Sequence, residues 1–130
     1  MPQVSHRRGP FTCIAIVGLV ALTGCQQDVK TTWSAQSLSP DKSWEANATS
    51  EQHGGPGTAG VITTVRLKRV GNSQAPVDVL VFEQSGNRPI NLKMGWSDPT
   101  HLNVSYQNAG LDFQAVKCAG ITISTQEASV

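Results

Sequence analysis

The residues able to do chemistry in this chain are few, and their spacing limits what they can do. Cysteines stand at 13, 25 and 118, and histidines at 6, 53 and 101. No pair has zinc-ligand spacing such as Cys-x2-Cys or His-x3-His, so a metal centre is not expected. A Cys118–His nucleophile pair would draw on the same scattered residues, and no Gly-x-Ser-x-Gly elbow is present. The carboxylates Asp41, Glu45, Asp78, Glu83, Asp98 and Asp112 fall on turns and outward positions. That suits a solvated surface better than a paired acid and base. The run from His53 through Gly54, Gly55, Pro56 and Gly57 to Gly60 offers backbone N–H groups of the kind that cradle phosphate. It lacks Gly-Lys-Ser/Thr and leads into β-branched residues, so it reads as a hairpin loop, with His53 and Gly55 as candidate contacts. Trp33 and Trp96 complete the candidate binding residues, since tryptophan is enriched where partners bind. No catalytic set emerges, and the chain is expected not to be an enzyme.

Cys25 is different, because of what precedes it. His6, Arg7 and Arg8 form a short basic region, and Phe11 to Leu22 follow without a charge. Basic region, apolar stretch and small residues are the order of a secretory signal. The apolar run is too short for a spanning helix, which needs roughly 20 residues. The arginines lie on the side that the positive-inside bias assigns to the cytoplasm. The run closes with Leu22-Thr23-Gly24-Cys25.

Leu22-Thr23-Gly24-Cys25 resembles the lipobox of bacterial lipoproteins, matching at every position. The resemblance covers the first 25 residues. It implies cleavage of a signal helix between Gly24 and Cys25, then diacylglycerol on the Cys25 thiol and a further acyl chain on its new amino group. Each buried CH₂ contributes about 0.8 kcal/mol, so two or three chains anchor stably where one does not. Residue 26 is Gln, and the absence of Asp there favours the outer membrane, facing the periplasm, if the source is Gram-negative. The covalent lipid is then the only non-protein group expected, and the bilayer the first partner.

Removal of residues 1–24 from 130 leaves 106, enough for one small domain. Eight Lys/Arg then face nine Asp/Glu, and no basic run remains, which argues against nucleic acid as a partner. Cys118 becomes the single free thiol, expected to be a buried small hydrophobe.

Residues 25–38 are polar and without sustained apolar period, and read as the lipidated N-terminus and a flexible tether. From Ser39 the pattern is β. Trp44, Ala46 and Ala48 alternate with Glu45, Asn47 and Thr49. Val61, Thr63, Val65 and Leu67 alternate with Thr64, Arg66 and Lys68. Pro76 to Glu83 is the most apolar run and reads as a central strand. Ile90–Trp96 and His101–Tyr106 follow. Phe113–Cys118 and Ile121–Thr125 read as one strand kinked at Gly120. Asn108-Ala109-Gly110 reads as a further turn.

No stretch has helical periodicity. The expectation is an all-β domain over 39–125, an antiparallel meander of about six or seven short strands forming a small sandwich or barrel-like sheet, with residues 126–130 frayed. Ser39-Pro40-Asp41-Lys42-Ser43-Trp44 is also similar to a turn-then-strand device of β-propeller repeats. A blade needs about 40–45 residues and a closed propeller several blades, so only the hairpin device is shared. The mature segment resembles small bacterial lipoproteins with a single β domain, a likeness that implies no activity. The functional expectation is a membrane-anchored, non-catalytic protein-interaction module whose partner is another envelope protein. The alternative is a binder of a small ligand or cell-wall glycan, and a small enzyme is the remotest of the three.

Overall fold

The computed structural model describes residues 29–54 and 60–129. The signal segment 1–24, the lipidation and cleavage residues Gly24 and Cys25, and Gly55 lie outside the described residues.

Nine strands carry the described fold: β1 (Lys30–Leu38), β2 (Trp44–His53), β3 (Gly60–Arg69), β4 (Val77–Gln84), β5 (Lys93–Asp98), β6 (His101–Tyr106), β7 (Ala109–Gln114), β8 (Lys117–Cys118) and β9 (Ile121–Glu127). They form two sheets, ordered β1-β2-β3-β4-β7 and β5-β6-β9-β8. The architecture is all-β, mostly antiparallel and not closed into a barrel.

The inner faces of both sheets share one core. Ala46 and Ala48 of β2, Thr63, Val65 and Leu67 of β3, and Leu102, Val104 and Tyr106 of β6 are buried at alternate positions. This is the period-two pattern of strands with one wet face. Strand β4 breaks the alternation usefully. Val65 pairs with Leu80 while Arg66 pairs with Asp78, leaving Val79 as an extra residue. The bulge lets Val79 and Leu80 both be buried, and the Val79 carbonyl accepts the Ala115 N–H at 2.8 Å. Phe82 on the same strand reaches across to Tyr106 of the other sheet, with ring centroids 4.6 Å apart.

Four details differ from the sequence reading. Residues 30–38, expected as tether, form β1, paired along its length with β2. As an edge strand with mostly exposed side chains, β1 owes its place to backbone hydrogen bonds, which leave no apolar period in the sequence. The expected frayed tail is instead held beside β6: β9 continues to Glu127, and the Ala128 N–H donates to the Tyr106 carbonyl at 2.8 Å. The segment Ile90–Leu92 buries Ile90 and Leu92 but becomes strand only from Lys93. The supposed kink at Gly120 is a full reversal that joins β8 to β9, with Ala119 and Gly120 both at positive φ (49° and 84°). Two consecutive positive φ values make the tight turn that suits a two-residue hairpin.

That turn also explains the larger count of strands. The stretch from Phe113 to Thr125 is divided between the sheets: β7 pairs with β4 in one, and β9 pairs with β6 in the other. β6 and β9 are parallel. A parallel pair requires a crossover, and here the chain makes it by passing through β7 of the opposite sheet.

The turn carries a prediction. An L-residue with a Cβ in the left-handed region costs roughly 1–2 kcal/mol, and asparagine tolerates it better than alanine. Ala119→Asn completes the Asn-Gly pair that such turns favour, and raises stability by about 0.5–1 kcal/mol. The check is a higher urea midpoint at unchanged slope.

Candidate functional site

Edge strands β1 and β5 meet at one end and separate at the other. Where they meet, the Trp96 indole N–H donates to the Ser37 carbonyl at 3.3 Å, fastening the two sheets together. Trp96 also packs against the core. It is therefore a structural clasp and does not line the concavity described next. Where the strands separate, a cleft of about 760 Å³ opens between the sheets.

One wall of the cleft comes from the inner face of the first sheet: Thr32, Trp33, Ser50 and Val61. Trp33 points there by the regular alternation of β1, in which Trp33, Ala35 and Ser37 pair with the inward-facing Ser50, Ala48 and Ala46. Thr31 pairs with Glu51 and Trp33 pairs with Ser50, so Thr32 is the extra residue. The bulge shifts the register of Lys30 and Thr31, which precede it, and leaves the pairing from Trp33 to Leu38 unbroken. Thr32 secures the bulge by donating its hydroxyl to the Ser50 carbonyl at 3.3 Å. Trp33 remains 36% exposed.

The floor holds a buried polar pair. The Ser50 and Thr63 hydroxyls lie 2.7 Å apart, and the two residues are 4% and 0% exposed. Each gives the other the partner that a buried hydroxyl needs.

The facing wall is the connection from β4 to β5 together with the ends of β6 and β9. Asn91 takes a left-handed backbone (φ 47°), a conformation that asparagine adopts more readily than most residues. Its side-chain N–H donates to Gln107 Oε1 at 2.9 Å, and Gln107 Nε2 donates to the Ser129 carbonyl at 3.2 Å. The Gln107 N–H bonds the Ile90 carbonyl at 2.7 Å, and Asn108 Nδ2 bonds that of Pro89 at 3.0 Å. Gln84 Nε2 donates to the Arg88 carbonyl, closing the connection on itself. The wall is thus braced through side-chain amides. Among the described residues, Lys93 is the one charged side chain lining the cleft.

Of the candidate binding residues read from sequence, Trp33 lies in this cleft. His53 does not. It is on the opposite face of β2 from Ser50, with its Nε2 3.6 Å from the Glu51 carboxylate. The sequence reading did not single out Ser50, Asn91, Lys93 or Gln107. Only Asn91, two residues after a proline, carried a turn signal. Trp44 is half-buried on the core, and Arg69 lies over its ring at 5.4 Å. Cys118 is partly rather than fully buried and packs against the core from β8.

His101 opens β6, directly after the turn at Pro99 and Thr100. Its Nδ1 is 2.9 Å from Asp98 Oδ1, which also accepts the Thr100 N–H at 2.8 Å and the Thr100 hydroxyl at 2.9 Å. The His101 hydrogen bond first, then those from Thr100, hold the Asp98 carboxyl at about 2, below its ordinary 3.8. A carboxyl lowered in the folded state stabilises above its unfolded value, and that contribution fades as pH falls through the folded one. The thermal midpoint is therefore expected to fall more steeply between about pH 4 and pH 2 than in Asp98→Asn, as a pair of acid melting series would show.

Among the described residues no group of three His, Cys, Asp or Glu side chains is placed to hold a metal ion. Among the same residues, no helix is long and apolar enough to cross a membrane. Comparison of this chain with protein-family models, curated proteins and solved structures finds no match.

Proposed function

We propose that this chain is a non-catalytic binding module of the bacterial envelope, held to the bilayer by acylated Cys25 and engaging its partner through the cleft beside Trp33. The observation that carries this reading is Trp33 itself, an exposed tryptophan on the inner face of edge strand β1 that lines a concave site. Clefts with an aromatic wall and a few fixed polar groups are the usual form of a binding site. The lining supports binding over catalysis: it offers hydroxyls, amides and one ammonium, with no base set against a nucleophile.

The anchor and the cleft also lie close in the chain. Four residues separate Cys25 from Lys30. Even fully extended, the five Cα steps from Cys25 to Lys30 span only about 17 Å, at roughly 3.4 Å per step. Lys30 and Trp33 share the same end of β1, so the leash keeps the cleft near the membrane surface. On this reading the partner is a component of the envelope, facing the periplasm at the outer membrane if the source is Gram-negative. Another envelope protein is one class of partner, and a glycan or small ligand is the other. The amide-rich lining favours the second.

In-cell photo-crosslinking tests the proposal. A photoreactive residue in place of Lys93, in the cleft, is expected to capture a reproducible partner. The same group in place of Thr64, on the outer face of β3, is not. Identical capture from both positions sinks the cleft as the binding site.

A further inference from the structure

We infer that the cleft takes a saccharide, a short oligosaccharide stacked on Trp33. The inference rests on the cleft being the binding site and names its ligand class. A sugar ring presents two chemistries: a face of C–H bonds, and a rim of hydroxyls that each donate and accept. The cleft offers a match for both. Trp33 supplies a rigid aromatic surface at low conformational cost, one third exposed and on the inner face of β1. Around it, Ser50, Ser105, Asn91 and Gln107 all carry groups that donate and accept from one side chain.

Other ligand classes fit less well. A phosphate or a polyanion calls for several cations or a fan of backbone N–H groups, and among the described residues Lys93 is the one cation lining the cleft. A purely apolar ligand would cover the amide capacity of Asn91 and Gln107 that their bonds to each other and to Ser129 leave over, without giving it partners, which is costly. A sugar hydroxyl gives each of them one.

The polar groups are also held in place before any ligand arrives. Asn91 is bonded to Gln107, Gln107 to the Ser129 carbonyl, and Ser50 to Thr63. Little side-chain freedom is left to lose, which favours affinity from a modest number of contacts. The volume of about 760 Å³ suits more than one ring. Lys93, at the start of β5, stands where an acidic substituent of the sugar would meet it.

The experiment is titration calorimetry on the acylated full chain in lipid nanodiscs. The probes are the trisaccharides of glucose, galactose and N-acetylglucosamine. Saturable binding of at least one is expected, weakened about tenfold or more in Trp33→Ala, in line with the loss of an aromatic hot spot. Asn91→Gly keeps the left-handed backbone while removing the amide, and is expected to weaken binding too. His53→Ala, on the outer face, is expected to change nothing. Circular dichroism of each variant verifies the fold. Binding that ignores Trp33→Ala and Asn91→Gly overturns the inference. So does the absence of saturable binding to all three sugars. In that last case, a protein captured by the Lys93 crosslinker keeps the cleft as the binding site and overturns the saccharide alone. No capture either overturns both.

Discussion

Phe82→Ala is expected to lower the stability of the domain by about 3–5 kcal/mol, the usual cost of truncating a buried phenylalanine. Phe82 has no exposed surface and is the largest fully buried side chain. It also joins the two layers. Its ring lies 4.6 Å from that of Tyr106, at an interplanar angle of 49°. Phe82 stands on β4 of the first sheet and Tyr106 on β6 of the second. Removing the ring therefore opens a cavity and also deletes a tilted aromatic pair worth about 0.5–1.5 kcal/mol in its own right. A small domain has only about 5–15 kcal/mol in total, so the variant is expected to be partly unfolded at 37 °C. Urea denaturation followed by circular dichroism measures the loss. Tyr106→Phe keeps the ring and should cost far less, which separates packing from the hydroxyl. A midpoint for Phe82→Ala within 1 kcal/mol of the parent, on the scale of a surface change, would mean that the two sheets do not pack through this pair.

The second large effect concerns residue 25. Cys25→Ser is expected to leave a full-length precursor without lipid, because a serine hydroxyl does not form the thioether that processing requires. The loss is close to complete. Each acyl CH₂ contributes about 0.8 kcal/mol of membrane affinity, so removing two or three chains leaves a domain with no comparable hold on the bilayer. Intact-mass spectrometry reads the acylation, and detergent partitioning reads the attachment. A normally sized product of Cys25→Ser that still partitions into detergent would end the lipoprotein reading. A soluble but correctly folded domain would instead separate anchoring from folding, as expected if the β core is self-sufficient.

Much of the core was legible in the sequence. The alternations over β2, β3 and β6 placed Ala46, Ala48, Val65, Leu67, Leu102 and Val104 on inward faces, and those residues are buried. Period two is a local property, written into the strand by the pleat. β1 was not legible for the opposite reason. Its ladder to β2 is made of backbone groups that every residue carries, and its side chains are mostly exposed. Nothing in the types Lys30 to Leu38 announces it. The same holds for the end of β9, where Gln126 and Glu127 pair with Ser105 and Tyr106 through the main chain.

The candidate site was the least legible part. Trp33 was visible as an unexplained aromatic, but its direction depends on the register of β1 against β2, where its partner Ser50 stands seventeen positions away. Trp96 was equally visible and turned out to be a clasp, because Ser37 of β1 lies beside it. His53 faces away since it falls on the odd side of β2. Of the amides of the facing wall only Asn91, just after Pro89, carried a turn signal, and asparagine and glutamine in connections are ordinary until the chain brings Asn91 and Gln107 together.

By itself, then, the sequence determined the all-β class and the inward faces of the strands with alternating side chains. These follow from local physics: side-chain size and polarity at short spacing. The tertiary structure alone decided the division into two sheets, the parallel β6–β9 pair, the inward turn of Trp33 and the cleft it lines. Each of these depends on which distant strand lies alongside and in what register. Backbone pairing of that kind is open to almost any side chain, so residue types could not announce it.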